Sequence, residues 1–270
     1  MKNPLGQTTT YPDTYDAGLL FPIPRAQSRA ELGIADPLPF RGYDAWRAYE
    51  LSWLDNRGKP VVAIGEFLFP VTSPHLVESK SLKLYLNSLN QERFDTLEAV
   101  EQLIAKDLGA AAGSPVLVKL WNLREEGGQL AEPTGLCLDA LDVAPQTYTP
   151  APQLLCNDDR GQVTETLYSD LFRSNCPVTS QPDWGTVIIH YTGQGIDHAS
   201  LLSYLISFRN HEGFHEECAE RIFSDIQQHC APQSLSVAIN FLRRGGLEIN
   251  PVRSTAPHEV EFPASRYLRQ

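Results

Sequence analysis

The alternation of apolar and polar residues along this chain predicts an α+β protein in which one order of elements occurs twice. Apolar residues recur at helical spacing between residues 96 and 108, whereas runs rich in β-branched and aromatic residues, such as 59–69, indicate strands. The predicted elements of the first half are strands 47–54, 59–69, 116–123 and 135–143 and helices 82–89 and 96–108. Those of the second half are strands 163–172, 186–191, 236–243 and 247–252 and helices 199–210 and 216–229. Each half therefore has the order strand–strand–helix–helix–strand–strand.

A short stretch of sequence is shared by the two halves. Residues 85–89 read YLNSL and residues 204–208 read YLISF, at an offset of 119 positions. Both stretches lie at the start of the first long helix of their half. Because the match falls at the same point of both patterns, it favours an internal duplication.

Proline-rich segments without a sustained period flank the first half. Residues 1–45 are expected to form an irregular arm that wraps a domain, and residues 144–152 are typical of a linker. We therefore expect an N-terminal arm at 1–45, a first module at 46–150 and a second module at 151–270.

Charge and cysteine content exclude several classes of protein. The chain has 22 Lys and Arg against 33 Asp and Glu, a formal net charge of -11, which argues against binding nucleic acid or an anionic membrane through a basic surface. Its 5 cysteines show no tight paired spacing and indicate neither a disulfide framework nor a Cys-x-x-Cys zinc site. The first residues lack an apolar leader segment, so we expect a soluble cytoplasmic protein.

Cys176 and Asp183 lie seven residues apart in a turn-rich, polar segment. A thiolate attacks carbon electrophiles when its surroundings lower its pKa, and a nearby carboxyl group can donate a proton to the group that accumulates charge. The two residues are therefore a candidate nucleophile and proton donor. The alternative is an ordinary packed cysteine beside a turn aspartate.

Residues 78–85 read ESKSLKLY and place Lys80 and Lys83 on one face of a helix, close to its N-terminus. Backbone N–H groups and ammonium groups that converge in this way suit a phosphate group. A solvated Glu/Lys face is the alternative. At the equivalent positions of the second half, Ala199 and Leu202 replace the two lysines, so the pair belongs to one copy only.

Residues 211–218 read HEGFHEEC and concentrate imidazole and carboxyl groups at the start of a helix. His211 and His215 lack the arrangement of a zincin motif, so we expect no metal there. A carboxylate at this point can instead accept paired N–H donors from a guanine-like ring. Further along, Arg244 and Gly245 belong to an RRGG turn that suits a second phosphate contact, or is simply a hairpin turn.

These stretches resemble one family, the NADPH-dependent 7-cyano-7-deazaguanine reductases, also called preQ0 nitrile reductases, in their long two-module form. The octet at 78–85 matches the family signature at every position, and residues 176–184, 215–216 and 244–245 resemble its other functional stretches. The chain has neither a Gly-x-Gly-x-x-Gly stretch after a strand nor a Walker A sequence, so a nicotinamide cofactor is not expected to bind a Rossmann domain.

The resemblance implies tandem tunnelling-fold modules, with antiparallel sheets curled toward a barrel and helices on the outer face. It implies reduction of 7-cyano-7-deazaguanine to its 7-aminomethyl form with two NADPH as cosubstrate, a step toward the queuosine base of tRNA. It also implies a homodimer without nucleic-acid or membrane partners, and no metal. The implied roles are Cys176 as the nucleophile that forms a covalent thioimide, Asp183 as proton donor, Val77, Glu78, Ser79, His215 and Glu216 in substrate binding, and Ser79, Lys80, Lys83, Arg244 and Gly245 in cofactor binding.

Two other functions fit the same residues. A cysteine hydrolase would act on a nitrile or amide with Glu78 and Lys80 as base and acid, and it would need no cofactor. A tunnelling-fold module that only binds purine-like ligands would bind without turnover. Adding the substrate and following NADPH absorbance separates the reductase from both.

Overall fold

The computed structural model describes residues 11–124, 130–256, 266–267 and 270. The strands are β1 Pro22–Pro24, β2 Arg41–Leu54, β3 Pro60–Pro70, β4 His75–Val77, β5 Leu117–Asn122, β6 Leu130–Ala131, β7 Leu136–Cys137, β8 Asn157–Ser169, β9 Arg173–Asn175, β10 Pro182–Ile196, β11 Ser234–Phe241, β12 Leu247–Ser254 and β13 Arg266–Tyr267. The α-helices are α1 Arg25–Glu31, α2 Ser79–Ser88, α3 Leu97–Ala112, α4 His198–Ser207 and α5 His215–Cys230. Short 3₁₀ helices span Ala17–Leu19, Pro152–Leu154 and Phe208–Asn210.

One nine-stranded sheet spans both halves of the chain. Its order is β5-β3-β2-β12-β11-β10-β8-β7, with β9 also paired to β10. All neighbours are antiparallel except β7 and β8. The two halves meet where β12 pairs with β2, from Leu247 opposite Ala48 to Ser254 opposite Arg41. The α+β class is thus confirmed, and the described strands close no barrel.

The helices cover one face of this sheet and divide its core into two clusters. One cluster packs α2 and α3 against β2 and β3, and includes Trp53, Phe67 and Tyr85. The other packs α4 and α5 against β10 and β11. Because alternate residues of a strand point to the same face, the period-2 runs of the sequence supply one side of each cluster and the helical stripes supply the other. None of the described helices is long and apolar enough to cross a membrane.

The internal duplication is visible in matching hydrogen bonds. Tyr85 donates its hydroxyl to Asp107, and Tyr204 donates its hydroxyl to Asp225. In addition, three backbone N–H groups of one segment bond to corresponding atoms at the first long helix of each half. The first half has Asp16 N to Ser88 Oγ, Phe21 N to Ser81 Oγ and Glu78 N to Phe21 O. The second half has Ala151 N to Ser207 Oγ, Cys156 N to Ser200 Oγ and Asp197 N to Cys156 O.

These bonds show that the arm and the linker are counterparts of each other. Residues 16–21 occupy in the first half the place that residues 151–156 occupy in the second. The expectation of an irregular arm is therefore wrong for the described part, which also contains β1, α1 and the start of β2. The arm differs from the linker in one respect: α1 follows β1, whereas β8 begins directly after Cys156.

A second correction concerns the predicted strand 135–143. Only Leu136–Cys137 is a strand, and it pairs in parallel with β8 of the second half. The apolar residues here pack individually, as Leu138 does in the second core cluster, and do not form a ladder. The first half therefore has one long strand fewer than predicted. The other predicted elements are confirmed, with bounds that shift by a few residues; β8 and β10 are longer than predicted and span 157–169 and 182–196.

Candidate active site

A pocket lies between the two halves, beside the seam of β2 and β12. Its empty volume is about 440 Å³. The first half contributes three residues that the sequence singled out, Val77, Glu78 and Ser79. The second half contributes Cys176, Asp183, His215, Glu216 and Arg244. Residues that are as much as 167 positions apart in the sequence are thus brought together in one cavity.

Cys176 directly follows β9 and begins the turn that leads to β10. The turn is closed by two backbone hydrogen bonds, from Cys176 N to Gln181 O at 2.9 Å and from Ser180 N to Cys176 O at 2.9 Å. Ser180 has a φ of 54°, in the left-handed region that non-glycine residues seldom adopt. This tight turn holds the partly buried sulfur at the pocket wall.

The surroundings of Cys176 favour its thiolate. Partial burial acts against the charged form, but the hydroxyl of Thr179, the backbone N–H groups of Val178 and Thr179, and the guanidinium of Arg244 donate toward the sulfur. Together these donors lower the pKa of the Cys176 thiol below its usual value. The sequence prediction of an activated cysteine is supported here by geometry, although its chemical role stays a prediction.

Asp183 is the second residue of β10 and is only 5% exposed. Nε of Arg244 lies 3.1 Å from its Oδ1, and Nε2 of His215 lies 3.3 Å from its Oδ2. The imidazole of His215 in turn stacks on the ring of Phe241, with 3.9 Å between the ring centroids. The carboxyl group is therefore held in one orientation, beside a side chain with which it can exchange a proton.

Glu78 caps the N-terminus of α2 and at the same time faces the pocket. Its carboxylate accepts hydrogen bonds from Lys80 N at 2.8 Å and Ser81 N at 2.7 Å. The side chain is 1% exposed, and burial raises its pKa despite these bonds. The helix thus begins at Ser79, earlier than the predicted residue 82, which puts Lys80 and Lys83 on one face near the helix N-terminus as predicted.

Glu216 lies in the first turn of α5 and is 3% exposed. Burial raises its pKa to about 7, and the charge of Asp44 adds to the shift. A carboxylate that is almost fully removed from water is costly unless it accepts hydrogen bonds, and paired N–H donors of a ligand would supply them. Glu216 thus has the features of a ligand-binding acid.

A groove adjoins the pocket and brings together all of the predicted cofactor residues. It is lined by Ser79, Lys80, Lys83, Arg244 and Gly245, with Cys176 at the junction. Gly245 has a φ of 55°, and a Cβ at this position would collide with Nζ of Lys83. The glycine therefore lets the turn approach the lysine closely.

Sequence reasoning missed part of the pocket wall. Ile23 of β1 lines it, as do Trp46 and Ile249 of the paired strands β2 and β12. Ile23 reaches the pocket because β1 pairs with β4 and the carbonyl of Phe21 accepts the N–H of Glu78. No local pattern marks these residues, since their positions depend on pairing with distant segments.

The candidate metal-binding histidines do not form a metal site. Within the part of the chain that the structure describes, no group of three or more His, Cys, Asp or Glu side chains is placed to hold a metal ion. Burial lowers the pKa of His211 to about 4, with a further contribution from Arg221. His211 instead donates its backbone N–H to Phe208 and accepts the N–H of Asn175 at its carbonyl, which ties β9 to the segment before α5.

Comparison with known proteins gives the same picture over the whole chain. A family model described as "Nitrile reductase, 7-cyano-7-deazaguanine-reductase N-term" matches residues 11–120, and one described as "QueF-like protein" matches residues 182–259. A solved structure of the archaeosine synthase QueF-Like in the apo form covers 37% of this chain and 100% of its own, at 20% identity and a TM-score of 0.32, a likeness too weak to carry an argument.

Three curated relatives carry the name NADPH-dependent 7-cyano-7-deazaguanine reductase. The protein of Coxiella burnetii (strain CbuK_Q154) is 55% identical over 95% of this chain and 92% of its own. That of Burkholderia vietnamiensis (strain G4 / LMG 22486) is 56% identical over 93% of each chain, and that of Azoarcus sp. (strain BH72) is 57% identical over 94% of this chain and 90% of its own. With this identity over nearly its full length, the chain belongs to the NADPH-dependent 7-cyano-7-deazaguanine reductase family.

Proposed function

We propose that this chain reduces the nitrile of 7-cyano-7-deazaguanine to an aminomethyl group, with NADPH as the reductant. The observation that carries the proposal is the single pocket in which Cys176 and Asp183 face Glu78 and Glu216. A nucleophile and a proton donor stand on one side, and buried carboxylates suited to the N–H edge of a purine-like ring stand on the other.

In the proposed first step, the Cys176 thiolate adds to the nitrile carbon. A C–S bond forms, one C–N π bond breaks, and the nitrogen takes the proton of Asp183, which yields a covalent thioimide. Asp183 must therefore carry a proton when the substrate is bound. His215, at 3.3 Å from its Oδ2, is placed to return a proton between the steps.

The groove beside Cys176 fits the phosphate groups of NADPH. Burial and the nearby charge of Lys80 both lower the pKa of Lys83, so an anion bound between the two ammonium groups would restore the charged form. The close approach of Gly245 to Lys83 adds the N-terminal turn of α2 and a second turn to the same cradle. When bound there, NADPH supplies hydride, and the four-electron change from nitrile to amine requires two such molecules in turn.

The test of this proposal is the consumption of NADPH with the nitrile as substrate. We expect two NADPH oxidised for each 7-aminomethyl product, measured by absorbance and by mass analysis of the product. A cysteine hydrolase would leave NADPH unchanged and release ammonia, and a binding module would return the nitrile intact. Either result would overturn the proposal.

We also propose that each half is a tunnelling-fold module and that two copies of the chain associate. The shared hydrogen bonds at α2 and α4 support two related modules. Because the described strands form an open sheet, closure into a barrel would require a second copy. Light scattering with size-exclusion chromatography would measure the expected dimer mass. The cytoplasmic location and the absence of a resident metal stay predictions.

A further inference from the structure

A network of buried charges connects the N-terminal arm to the helix that bears Glu216. Its five members come from four elements: Arg25 and Arg29 of α1, Asp44 of β2, Glu220 of α5 and Arg253 of β12. None of them is more than 9% exposed. The helix α1, which supplies two of the arginines, has no counterpart in the second half.

The contacts within the network are close and mutual. Arg253 lies 2.8 Å from Oδ1 of Asp44 and 3.0 Å from Oε1 of Glu220. Arg25 pairs with the other oxygen of Asp44, and Arg29 bonds to both oxygens of Glu220. Each carboxylate is thus shared by two arginines, so the loss of any one arginine leaves a buried negative charge less compensated.

The charges of the network do not balance without Glu216. Three arginines face two carboxylates, which leaves one positive charge in excess. Glu216 lies one helical turn before Glu220 on α5 and faces the substrate pocket, where an ionised carboxylate would neutralise the excess. Burial opposes that ionisation, so the position of the positive charge decides whether the carboxylate is available to a ligand.

Charged groups face Glu216 from every element packed around it. Asp44 of β2 raises its pKa and Arg25 of α1 lowers it. His215, its neighbour on α5, also lowers it. The remaining charged groups of the surroundings are Glu217 and Glu220 on α5, Arg253 of β12 and the capping Glu78 before α2.

We propose that Arg25 of the arm is a positioning residue for substrate binding: its buried guanidinium keeps Glu216 ionised against the N–H donors of the ring, and thereby sets the pH range in which the substrate binds. The proposal rests on the proposed function, since it assigns Glu216 to the ring of the nitrile. The arm is then part of the binding site, through the charge of Arg25 as well as through Ile23 in the pocket wall.

The test measures binding without turnover. 7-Cyano-7-deazaguanine is titrated by calorimetry, without NADPH, into the full chain carrying Cys176→Ala, at a series of pH values around neutrality. Affinity should rise as the pH rises through about 7, where Glu216 loses its proton. If the parent does not bind the nitrile at any pH, the proposed function fails, whereas binding without the shifts described next overturns only the role of Arg25.

Two variants should move the midpoint of this pH profile in opposite directions. Arg25→Gln removes a positive charge and should move it upward by about one pH unit or more, and Asp44→Asn removes a negative charge and should move it downward. A purely structural role would weaken binding in both variants without opposite shifts, and that result would overturn the inference. Arg29→Gln is the matched control, since it removes the same charge one helical turn away and bonds Glu220 instead of Asp44; we expect a smaller shift.

Folding of each variant is checked by circular dichroism and thermal unfolding. Should Arg25→Gln fail to fold, the comparison of Asp44→Asn with the double variant Arg25→Gln/Asp44→Asn isolates Arg25, because the double variant loses one charge of each sign. Its midpoint should lie above that of Asp44→Asn and near that of the parent. Equal midpoints in the single and the double variant would overturn the inference.

Discussion

The guanidinium of Arg244 contacts Asp183, with 3.1 Å between Nε and Oδ1. The same side chain donates to Oε1 of Gln181 at 2.8 Å and toward the sulfur of Cys176. Sequence reasoning assigned Arg244 to the cofactor, and it does line the cofactor groove. Its position at the junction of groove and pocket means that it also orders the nucleophile and the proton donor.

Replacement of Asp183 by asparagine should slow the reaction without preventing binding. Asn keeps the shape and can still hydrogen bond, but it cannot give up a proton as an acid. We expect kcat to fall by about 10² to 10⁴, the usual contribution of a general acid. Steady-state kinetics and a separate titration with the nitrile distinguish the two effects. A variant with normal kcat and weakened affinity would show that Asp183 binds the substrate and does not protonate it.

The sequence predicted most of the long elements because their apolar periods are local. It also identified Cys176, Asp183 and Glu216, whose residue types and spacing indicate chemistry. It could not predict the arm, because residues 16–21 are ordered by bonds to Ser81 and Ser88, far away in the chain. Nor could it show that 135–143 lacks a ladder, since an apolar run does not reveal whether a partner strand is beside it.

The reactivity of Cys176 should extend to lower pH than that of an ordinary thiol. The thiolate is the reactive form, and the donors around the sulfur lower its pKa, so alkylation by iodoacetamide should reach half of its maximal rate at a pH below the normal thiol value. Thr179→Val removes the hydroxyl donor and should move this midpoint upward. Thr179→Ser retains the donor and serves as the control.

Labelling must be followed by peptide mass spectrometry, so that the other cysteines are counted separately. An unchanged midpoint in Thr179→Val would show that its hydroxyl does not stabilise the thiolate. A wild-type midpoint at or above that of a free thiol would contradict an activated Cys176.

A side chain at Gly245 should weaken NADPH binding more than it affects the nitrile. A Cβ would displace Lys83 from the groove and would also strain a backbone with positive φ. We expect the KM for NADPH to rise about tenfold or more in Gly245→Ala, the size of one lost charged hydrogen bond. Gly161→Ala is the matched control, since Gly161 also has positive φ but faces open space. Equal effects of both changes on KM would remove Gly245 from the cofactor site.

The site should be complete within one chain, although its residues come from both halves. Glu78 and Cys176 of the same chain line one pocket. Chains carrying Glu78→Ala and chains carrying Cys176→Ala should each be inactive, and co-expression with two purification tags should yield mixed oligomers that remain inactive. Recovery of about a quarter of the wild-type activity, the fraction expected for one intact shared site among random pairs, would show that sites draw on two chains.

The central claim is that Cys176 forms a covalent bond with the nitrile, and intact-protein mass spectrometry tests it most directly. The full chain is incubated with 7-cyano-7-deazaguanine in the absence of NADPH, and its mass is compared with that of Cys176→Ala treated in the same way. The account predicts a mass increase equal to one substrate molecule in the wild type, located on the peptide containing Cys176, and none in the variant. An unmodified wild-type chain under conditions where calorimetry shows the nitrile to be bound, or an equal mass increase in Cys176→Ala, would contradict it.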